Sequence, residues 1–221
     1  MSKISVVIIG MNEGKYVCDM LSALQRDLPD AERIWILDRC SDPSEVLLTE
    51  YDEKFICTES TLNGRQTSYC RNLGLSHCKK ENDVIFIDGD RFPKVGSLRY
   101  LQEWKEDIAL LPIEDDSRIY VEYERYYGTV NNLFYSAGLF IKREAINKIV
   151  SFQKGFLFNE DIQQDWGIED TYLGDVAYHL RLTCDVYLPV RLRGRFAKNR
   201  LDSMDVLEKR MKLRQKLNVK W

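Results

Sequence analysis

The sequence predicts an α/β protein with a mostly parallel, three-layer sheet, in which helices cover both faces. Two observations support this fold class. Short apolar runs typical of buried strands alternate with longer segments whose apolar residues recur at helical spacing. The runs are continuously apolar, as expected for parallel strands that are buried on both faces.

The amino-terminal half supplies most of this alternation. Strands are predicted for KISVVIIG, RIWILD and KFICTE, and a fourth for Asp83 to Ile87. Helices are predicted for EGKYVCDMLSALQRD, for GRQTSYCRNLGLSHC and for DPSEVLLTEY, with Asp42 as the cap of the last and Pro43 at its first position.

The carboxy-terminal half continues less regularly. We expect a helix around residues 96–105, a strand at IALLPI, extended segments at RIYVEYERYY and LFYSAGLFI, and a helix at REAINKIV. Residues 202–217 are predicted to form an amphipathic helix capped by Asp202 or Ser203.

Length and composition favour one domain. The 221 residues contain no linker-like segment, so residues 1–200 are predicted to form a single domain, with 201–221 as a helix packed on it or extending from it. No apolar run approaches the ~20 residues that cross a bilayer, and the amino terminus lacks a basic leader, so we expect a soluble, cytoplasmic protein. The six cysteines include no CxxC pair, and neither zinc nor disulfides are predicted.

Charge is concentrated at the carboxy terminus. Residues 191–221 contain eleven Lys or Arg against three Asp or Glu, although the whole chain has a net charge of −3. Such a segment can bind DNA, lie on an anionic membrane, or pack its apolar stripe on its own acidic domain. The last, structural possibility is the default.

Two acids follow the fourth strand, in DVIFIDGDRFP. Ligands of open α/β sheets collect beyond the carboxyl ends of such strands, and Asp88 and Asp90, two residues apart, point the same way. Two carboxylates suit Mg²⁺ or Mn²⁺ shared with substrate phosphates. The alternative is a polar turn, because Asp, Gly and Pro93 are ordinary turn residues.

Several motifs in order resemble the family-2 glycosyltransferases of the GT-A fold. They are a SVVII strand leading to Asn12-Glu13, a strand ending in Asp38, CRNLG in a helix, Asp-Gly-Asp, and a late WGIED. The resemblance runs from about Ile4 to Leu182 and implies a Rossmann-like GT-A domain that uses a nucleotide diphosphate sugar. Sugar nucleotidyltransferases, a related class, need a Gly-rich basic loop after the first strand, and IGMNEGKY lacks one.

The resemblance assigns a donor site. Gly10, Asn12 and Glu13 would border the nucleoside, and Asp38 would accept an N–H from the base, with UDP favoured. The family usually has two acids and Gly-Ser at the latter position, whereas this chain has Asp38-Arg39-Cys40-Ser41, which puts the identity of the base in doubt.

It also assigns the diphosphate and metal groups. Arg71 and Asn72 match the Arg-Asn pair, and Arg71 would neutralise the diphosphate with forked donors, although an exposed helix charge is the alternative reading. Asp90 would bind Mn²⁺ or Mg²⁺ directly, and Asp88 would hold the ribose, or the metal through water. The ion would offset charge on the departing diphosphate.

The acceptor site is implied by WGIED, which resembles the Trp-Gly-x-Glu-Asp motif of inverting galactosyl- and N-acetylgalactosaminyl-transferring enzymes. Trp166 would form a platform, Glu169 would hold the acceptor, and Asp170 would take the proton from its hydroxyl. The alternative is that acids favour a helix amino terminus, and that explanation is the better one for Glu160, Asp161 and Asp165.

One part of the family pattern is missing. Related enzymes often supply a histidine as third metal ligand about 25 to 35 residues after the Glu-Asp motif, whereas His77 and His179 lie elsewhere. His179 is expected to be a packed or capping residue. Arg195, Lys198 and Asn199 are at the proper distance, and a cation there would partly substitute for the ligand and weaken metal dependence.

The acceptor is open beyond its hydroxyl. A glycan, a small metabolite or a protein would fit, and the basic tail makes a hydroxylated base in DNA an alternative. A non-catalytic nucleotide-sugar binder or a nucleic-acid-binding protein would be rival functions, but neither explains why Asp88, Asp90 and Asp170 are all present.

Overall fold

The computed structural model describes residues 3–59, 67–94, 96–111, 113–115, 118–119, 137–162, 168–186 and 192–193. The strands within these ranges are β1 (Ile4–Gly10), β2 (Glu32–Asp38), β3 (Phe55–Thr58), β4 (Asp83–Asp88), β5 (Phe92–Pro93), β6 (Ile108–Leu110), β7 (Ile113–Asp115), β8 (Arg118–Ile119), β9 (Gly138–Ile141), β10 (Cys184–Val186) and β11 (Leu192–Arg193). The α-helices are α1 (Gly14–Asp27), α2 (Ser44–Glu50), α3 (Thr67–Ser76), α4 (Arg143–Phe152) and α5 (Ile168–His179).

Seven strands form the main sheet, in the order β10-β6-β9-β4-β1-β2-β3. The four strands from β4 to β3 pair in parallel, as do β6 and β10, whereas β9 is antiparallel to both of its neighbours. A smaller sheet has the order β5-β11-β7-β8. The prediction of a mostly parallel α/β sheet is therefore confirmed.

The core lies on both faces of the main sheet. Along β1, Val6 and Ile8 belong to one apolar cluster, and Val7 and Ile9 belong to the other. This division follows from the alternation of side chains along a strand. Helix α1 covers the first face, and α3, α4 and α5 cover the second. The helical residues in the two clusters include Met20 and Leu24 for the first face, and Cys70, Ile146, Ile149, Leu173 and Val176 for the second.

Helix α3 lies unusually close to the central strand. A Cβ atom at Gly74 would be 2.3 Å from Cγ1 of Val7, a separation that real Cβ atoms do not adopt. Glycine therefore brings α3 close enough to present its polar residues at the carboxyl ends of β1 and β4.

The predicted helix at residues 96–105 is wrong. Only Leu101–Glu103 form a short 3₁₀ turn. Gly96 adopts a left-handed φ of 87°, and its N–H donates to Asp27 Oδ1 at 2.6 Å, while the Leu98 N–H donates to the other oxygen of Asp27 at 2.9 Å. Because the end of α1 captures these amide groups, the segment folds onto α1 instead of continuing as a helix.

Two further boundaries differ from the predictions. The IALLPI segment is not one strand, because β6 joins the main sheet and β7 joins the smaller one. Helix α2 begins at Ser44, so Pro43 precedes its first residue. The cap position is therefore Pro43, and the prediction of Asp42 as the cap is wrong by one residue, although Asp42 accepts hydrogen bonds from the Ser44 N–H at 3.2 Å and from Ser44 Oγ at 2.6 Å.

No helix in the described ranges is long and apolar enough to cross a bilayer. All six cysteines are free thiols. The predicted helix at 202–217, most of RIYVEYERYY and the proposed boundary at residue 200 lie outside the described residues.

Candidate functional site

The candidate site lies where three neighbouring parallel strands end. Strand β1 is between β2 and β4, with Gly10 opposite Leu37 and Ile9 opposite Asp88. Asp38 is the last residue of β2, and Asp88 is the last residue of β4. The sheet register therefore brings Gly10, Asp38 and Asp88 to one edge, where ligands bind in open α/β sheets.

Asn12 joins the loops that follow β1 and β2. It has a left-handed φ of 63°, a conformation that Asn tolerates better than most residues. Its Oδ1 accepts the Ser41 N–H at 2.6 Å and the Asp42 N–H at 3.1 Å. The predicted nucleoside neighbour is therefore also a structural clamp within the loop pair.

Cys40 and Asp42 complete the connection between these loops. The Asn12 N–H lies 3.4 Å from Cys40 Sγ, and the Cys40 thiol lies 3.7 Å from the Gly10 carbonyl oxygen. Asp42 Oδ2 accepts the Gly14 N–H at 2.6 Å. Burial raises the pKa of Asp42, but hydrogen bonds from Ser44 and Gly14 outweigh burial and lower it overall, so this carboxylate stays ionised. We call residues 10–14 and 38–42 the interlocked loops.

Asp38 is paired with the residue that follows it. Arg39 Nε and Nη2 lie 3.3 and 3.2 Å from Asp38 Oδ2. Asp38 is buried, and the Arg39 side chain is 38% exposed. The predicted base-binding carboxylate thus has a partly exposed guanidinium beside it.

The Asp-Gly-Asp turn follows β4 as predicted. The Gly89 N–H donates to the Ile9 carbonyl at 2.7 Å. A Cβ at Gly89 would lie 3.2 Å from that carbonyl and from the Glu13 side chain, so glycine allows the glutamate to lie against the turn. Asp90 forms an ion pair with Arg91 at 3.5 Å.

Glu13, Asp88 and Asp90 form a crowded acidic group. Burial, followed by the Asp90 carboxylate, raises the pKa of Glu13 to about 7. Within the described ranges, no three His, Cys, Asp or Glu side chains already have an arrangement that would hold a metal ion. Asp88 and Asp90 still fit a divalent cation, because Mg²⁺ binds through one or two carboxylates and completes its shell with phosphates and water, and the crowding here favours added positive charge.

Arg71 is the charged centre of the site. Its side chain is 3% exposed, and its Nη2 donates to Asp88 Oδ1 at 2.7 Å. Its Nε and Nη1 have no hydrogen-bond partner among the described residues. Burial lowers its pKa, but Asp88, then Asp170 and Glu169, outweigh burial, and the pKa is raised overall. Arg71 is therefore a buried, permanently charged group that interacts with Asp88 of the Asp-Gly-Asp turn and with the two acids of WGIED. The alternative reading, an exposed helix charge, is wrong.

Asn72, the other half of the predicted Arg-Asn pair, contacts a different element. Its Nδ2 donates to the Phe158 carbonyl at 2.7 Å and to Glu160 Oε1 at 2.8 Å, and its Oδ1 accepts the Phe158 N–H at 3.0 Å. These contacts hold the segment before α5 against α3. The structure therefore places Asn72 in a bracing position.

Glu169 and Asp170 lie in the first turn of α5, as predicted for WGIED. Glu169 is 8% exposed, and Thr67 Oγ1 donates to its Oε1 at 3.2 Å. Its Oε2 has no hydrogen-bond partner within the described part of the chain. Burial and then Asp170 raise the pKa of Glu169 to about 7, although Arg71 lowers it. Arg71 thus interacts both with Asp88 at the end of β4 and with the two acids in the first turn of α5.

Some predicted groups cannot be placed. Trp166 and Gly167 lie outside the described residues, as do Arg195, Lys198 and Asn199. His179 ends α5 and is exposed, and its ring lies 5.1 Å from that of Phe152.

Sequence reasoning missed the contributions of Arg39, Cys40, Asp42 and Thr67 to this site. The departure at Asp38-Arg39-Cys40-Ser41 was the available signal for the first two. Asp42 was predicted only as a helix cap, and nothing local indicated its contact with Gly14. Thr67 meets Glu169 across 102 positions of sequence, which no local pattern shows.

Comparisons with known proteins identify the family and the fold. Residues 5–161 match the model of "Glycosyl transferase family 2". No curated protein sequence matches the chain.

Many solved structures are similar to this chain, and three of them illustrate the low sequence identity. S. aureus TarS 1–349, in complex with UDP-GlcNAc, has a TM-score of 0.69 and 16% identity over 99% of this chain and 68% of its own. GalNAc-T7 with UDP, GalNAc and Mn²⁺ has a TM-score of 0.66 and 16% identity over 97% of this chain and 48% of its own.

Mannosyltransferase PcManGT from Pyrobaculum calidifontis, with GDP-Man and Mn²⁺, has a TM-score of 0.60 and 15% identity over 90% of this chain and 58% of its own. The chain thus spans between about half and two thirds of these three proteins, and the likeness shows the fold. With the family model matching more than half of its length, this chain belongs to glycosyl transferase family 2 and has the GT-A fold.

Proposed function

We propose that this protein transfers a sugar from a nucleotide diphosphate sugar, with a UDP-sugar favoured, to a hydroxyl of a glycan or another acceptor, with inversion at the anomeric carbon. One observation carries the proposal. Arg71 is paired with Asp88 at the end of β4. After Asp88, the carboxylates that raise the pKa of Arg71 most are Asp170 and then Glu169, which lie in the first turn of α5. Groups suited to a diphosphate and groups suited to an acceptor are therefore neighbours.

On the donor side, the interlocked loops would hold the nucleoside, with Asp38 accepting an N–H from the base. Asp90, and Asp88 directly or through water, would hold Mn²⁺ or Mg²⁺. The ion would supply positive charge to the departing diphosphate. Arg71 adds a fixed positive charge to the same region, which is worth more in a buried site than in water.

On the acceptor side, Asp170 would accept the proton of the attacking hydroxyl. The acceptor oxygen forms a bond to the anomeric carbon, the bond from that carbon to the diphosphate breaks, and the nucleoside diphosphate leaves with both electrons of that bond. Attack from the opposite face inverts the centre. Glu169 is buried and raised in pKa, so at neutral pH its protonated form can donate a hydrogen bond to the acceptor while its ionised form can accept one. Trp166 would be the platform for the acceptor.

The DNA and membrane alternatives depend on residues 191–221, nearly all of which lie outside the described ranges. The described residues favour no particular acceptor class. We therefore keep a hydroxyl acceptor as the general proposal.

Thermal unfolding with a panel of nucleotide sugars, with and without Mn²⁺, tests the proposal. We expect one or more UDP-sugars to raise Tm in the presence of Mn²⁺. Asp90→Ala should lose the Mn²⁺-dependent part of the rise in Tm. Asp170→Asn should keep the whole rise in Tm but lose the transfer of the sugar to the acceptor. Asp19→Ala, which removes an exposed carboxylate on α1, is the matched control and should behave like wild type. A protein that shows no Tm shift with any nucleotide sugar would overturn the proposal.

A further inference from the structure

Arg39 is held in an unusual backbone conformation at the proposed base site. Its φ of 51° lies in the left-handed region, which costs a non-glycine residue roughly 1–2 kcal/mol. Its N–H donates to the Thr58 carbonyl at 2.9 Å, so the end of β3 fixes this turn. Strain that neighbouring contacts maintain is typical of functional positions.

The side chain of Arg39 is directed by Asp38. Both Arg39 Nε and Nη2 lie within 3.3 Å of Asp38 Oδ2. The carboxylate is nearly buried, with 11% of its side chain exposed, and the guanidinium is 38% exposed. A hydrogen-bond acceptor and a charged donor therefore lie side by side at the mouth of the sheet.

The loop that follows this pair is braced by hydrogen bonds. Asn12 Oδ1 holds the Ser41 and Asp42 N–H groups, and Asp42 in turn holds the Gly14 N–H. Because these contacts link the loops after β1 and β2, the pair is organised before any ligand arrives. Such preorganisation favours ligands whose polar groups match it.

In the proposed donor site Asp38 faces the ring nitrogen of the base, which leaves the neighbouring exocyclic group to Arg39, and in this orientation an acceptor beside a donor matches one kind of nucleobase edge. Uracil and thymine present N3–H next to a carbonyl, and guanine presents N1–H next to O6. Cytosine and adenine present the reverse, a bare ring nitrogen next to an amino group. Held in that same orientation, either of these bases would place its ring lone pair against the Asp38 carboxylate and its amino group against the Arg39 guanidinium, and a polar site rejects a ligand that leaves its buried groups unpaired.

We propose that Asp38 and Arg39 together read the N–H and C=O edge of the donor's base, which restricts the donor to uracil, thymine or guanine nucleotides and excludes those of cytosine and adenine. Asp38 accepts the ring N–H, and Arg39 donates to the adjacent carbonyl. This inference rests on the proposed nucleotide-sugar function. It adds a specificity-determining residue at the position where the chain departs from the family pattern.

Calorimetric titration of the full chain with UDP, TDP, GDP, CDP and ADP, in Mn²⁺, tests the restriction. We expect at least one of the first three to bind about tenfold or more tightly than CDP and ADP. If UDP binds, N3-methyl-UDP, which lacks the ring N–H, should bind as weakly as CDP. CDP or ADP binding within threefold of the best nucleotide would overturn this inference alone. No binding by any of the five would overturn the proposed function as well.

Variants of Arg39 test its part directly. Arg39→Gln should weaken the preferred nucleotide about tenfold and leave CDP and ADP unchanged, so that the discrimination narrows. Arg39→Lys keeps the charge but loses the forked N–H donors of the guanidinium, so its affinity for the preferred nucleotide should lie between those of wild type and Arg39→Gln. Arg26→Gln makes the same chemical change at an exposed residue in the last turn of α1, and this variant should discriminate between the nucleotides as wild type does. If Arg39→Gln, with Tm unchanged, still discriminates as wild type does, the role of Arg39 is wrong.

Discussion

The buried ion pair between Arg71 and Asp88 can be tested by Arg71→Met, which keeps much of the side chain's length and apolar contact but removes its charge. Removing one partner of a fully buried pair typically costs about 3–5 kcal/mol, because the remaining charge is left unpaired. Here the Asp88 side chain is 30% exposed and can be hydrated. We therefore expect a loss of about 2–3 kcal/mol in the free energy of unfolding.

Urea denaturation of Arg71→Met, Asp88→Asn and the double variant measures this effect. With an m value of about 2–3 kcal/mol/M, the midpoint for Arg71→Met should fall by about 1 M. The double-mutant cycle should give a coupling energy of about 1–2 kcal/mol. A coupling below about 0.5 kcal/mol would show that the 2.7 Å contact does not stabilise the fold, and the reasoning would fail.

Arg33→Met is the matched control for function. Arg33 forms an ion pair with Glu53 at 2.9 Å, with side-chain exposures of 22% and 7%, near the amino-terminal end of β2 and away from the site. It should lose a similar amount of stability but keep transfer activity when measured well below its Tm. Arg71→Met should lose activity by a factor of about 100 or more, since one charged donor at a developing charge contributes roughly this much. Equal residual activity in the two folded variants would remove Arg71 from the proposed mechanism.

Two further predictions concern Glu169 and Gly74. Because the folded state raises the pKa of Glu169 from an ordinary 4.5 to about 7, the unfolded chain ionises first, so stability should fall as pH rises from about 4.5 to 7 and then level off. Glu169→Gln should make the fall of stability with pH less steep, and up to about 2–3 kcal/mol of the free energy of unfolding should be regained at pH 7.5, measured by urea titration. An unchanged pH dependence would contradict the buried environment assigned to Glu169. Gly74→Ala should cost about 2 kcal/mol because its Cβ would meet Val7 at 2.3 Å, whereas Ser76→Ala on the exposed end of α3 should cost less than 1 kcal/mol. Val7→Ala in the Gly74→Ala background should recover part of the loss, and no recovery would show that the clash is not its cause.

The sequence alone determined the fold class and the order of the site motifs. Continuous apolar runs such as SVVII can be read locally, because a strand buried on both faces needs an apolar side chain at every position. Asp88, Glu169 and Asp170 were also readable, because strand ends and helix starts are local features. The helix at 96–105 was mispredicted because Asp27, about 70 positions away, captures its amide groups.

Only the tertiary structure decided what these residues contact. The Arg71 to Asp88 pair, the Thr67 to Glu169 contact and the linkage of Asn12 to residues 41 and 42 join segments 17 to 102 positions apart. Such contacts depend on strand order and helix packing, and a linear pattern carries little information on either. The same holds for pKa values, because burial and distant charges shift them. The sequence pattern and the family resemblance therefore predicted many of the polar groups in the candidate site, and the three-dimensional packing decided which of them are paired and which are buried.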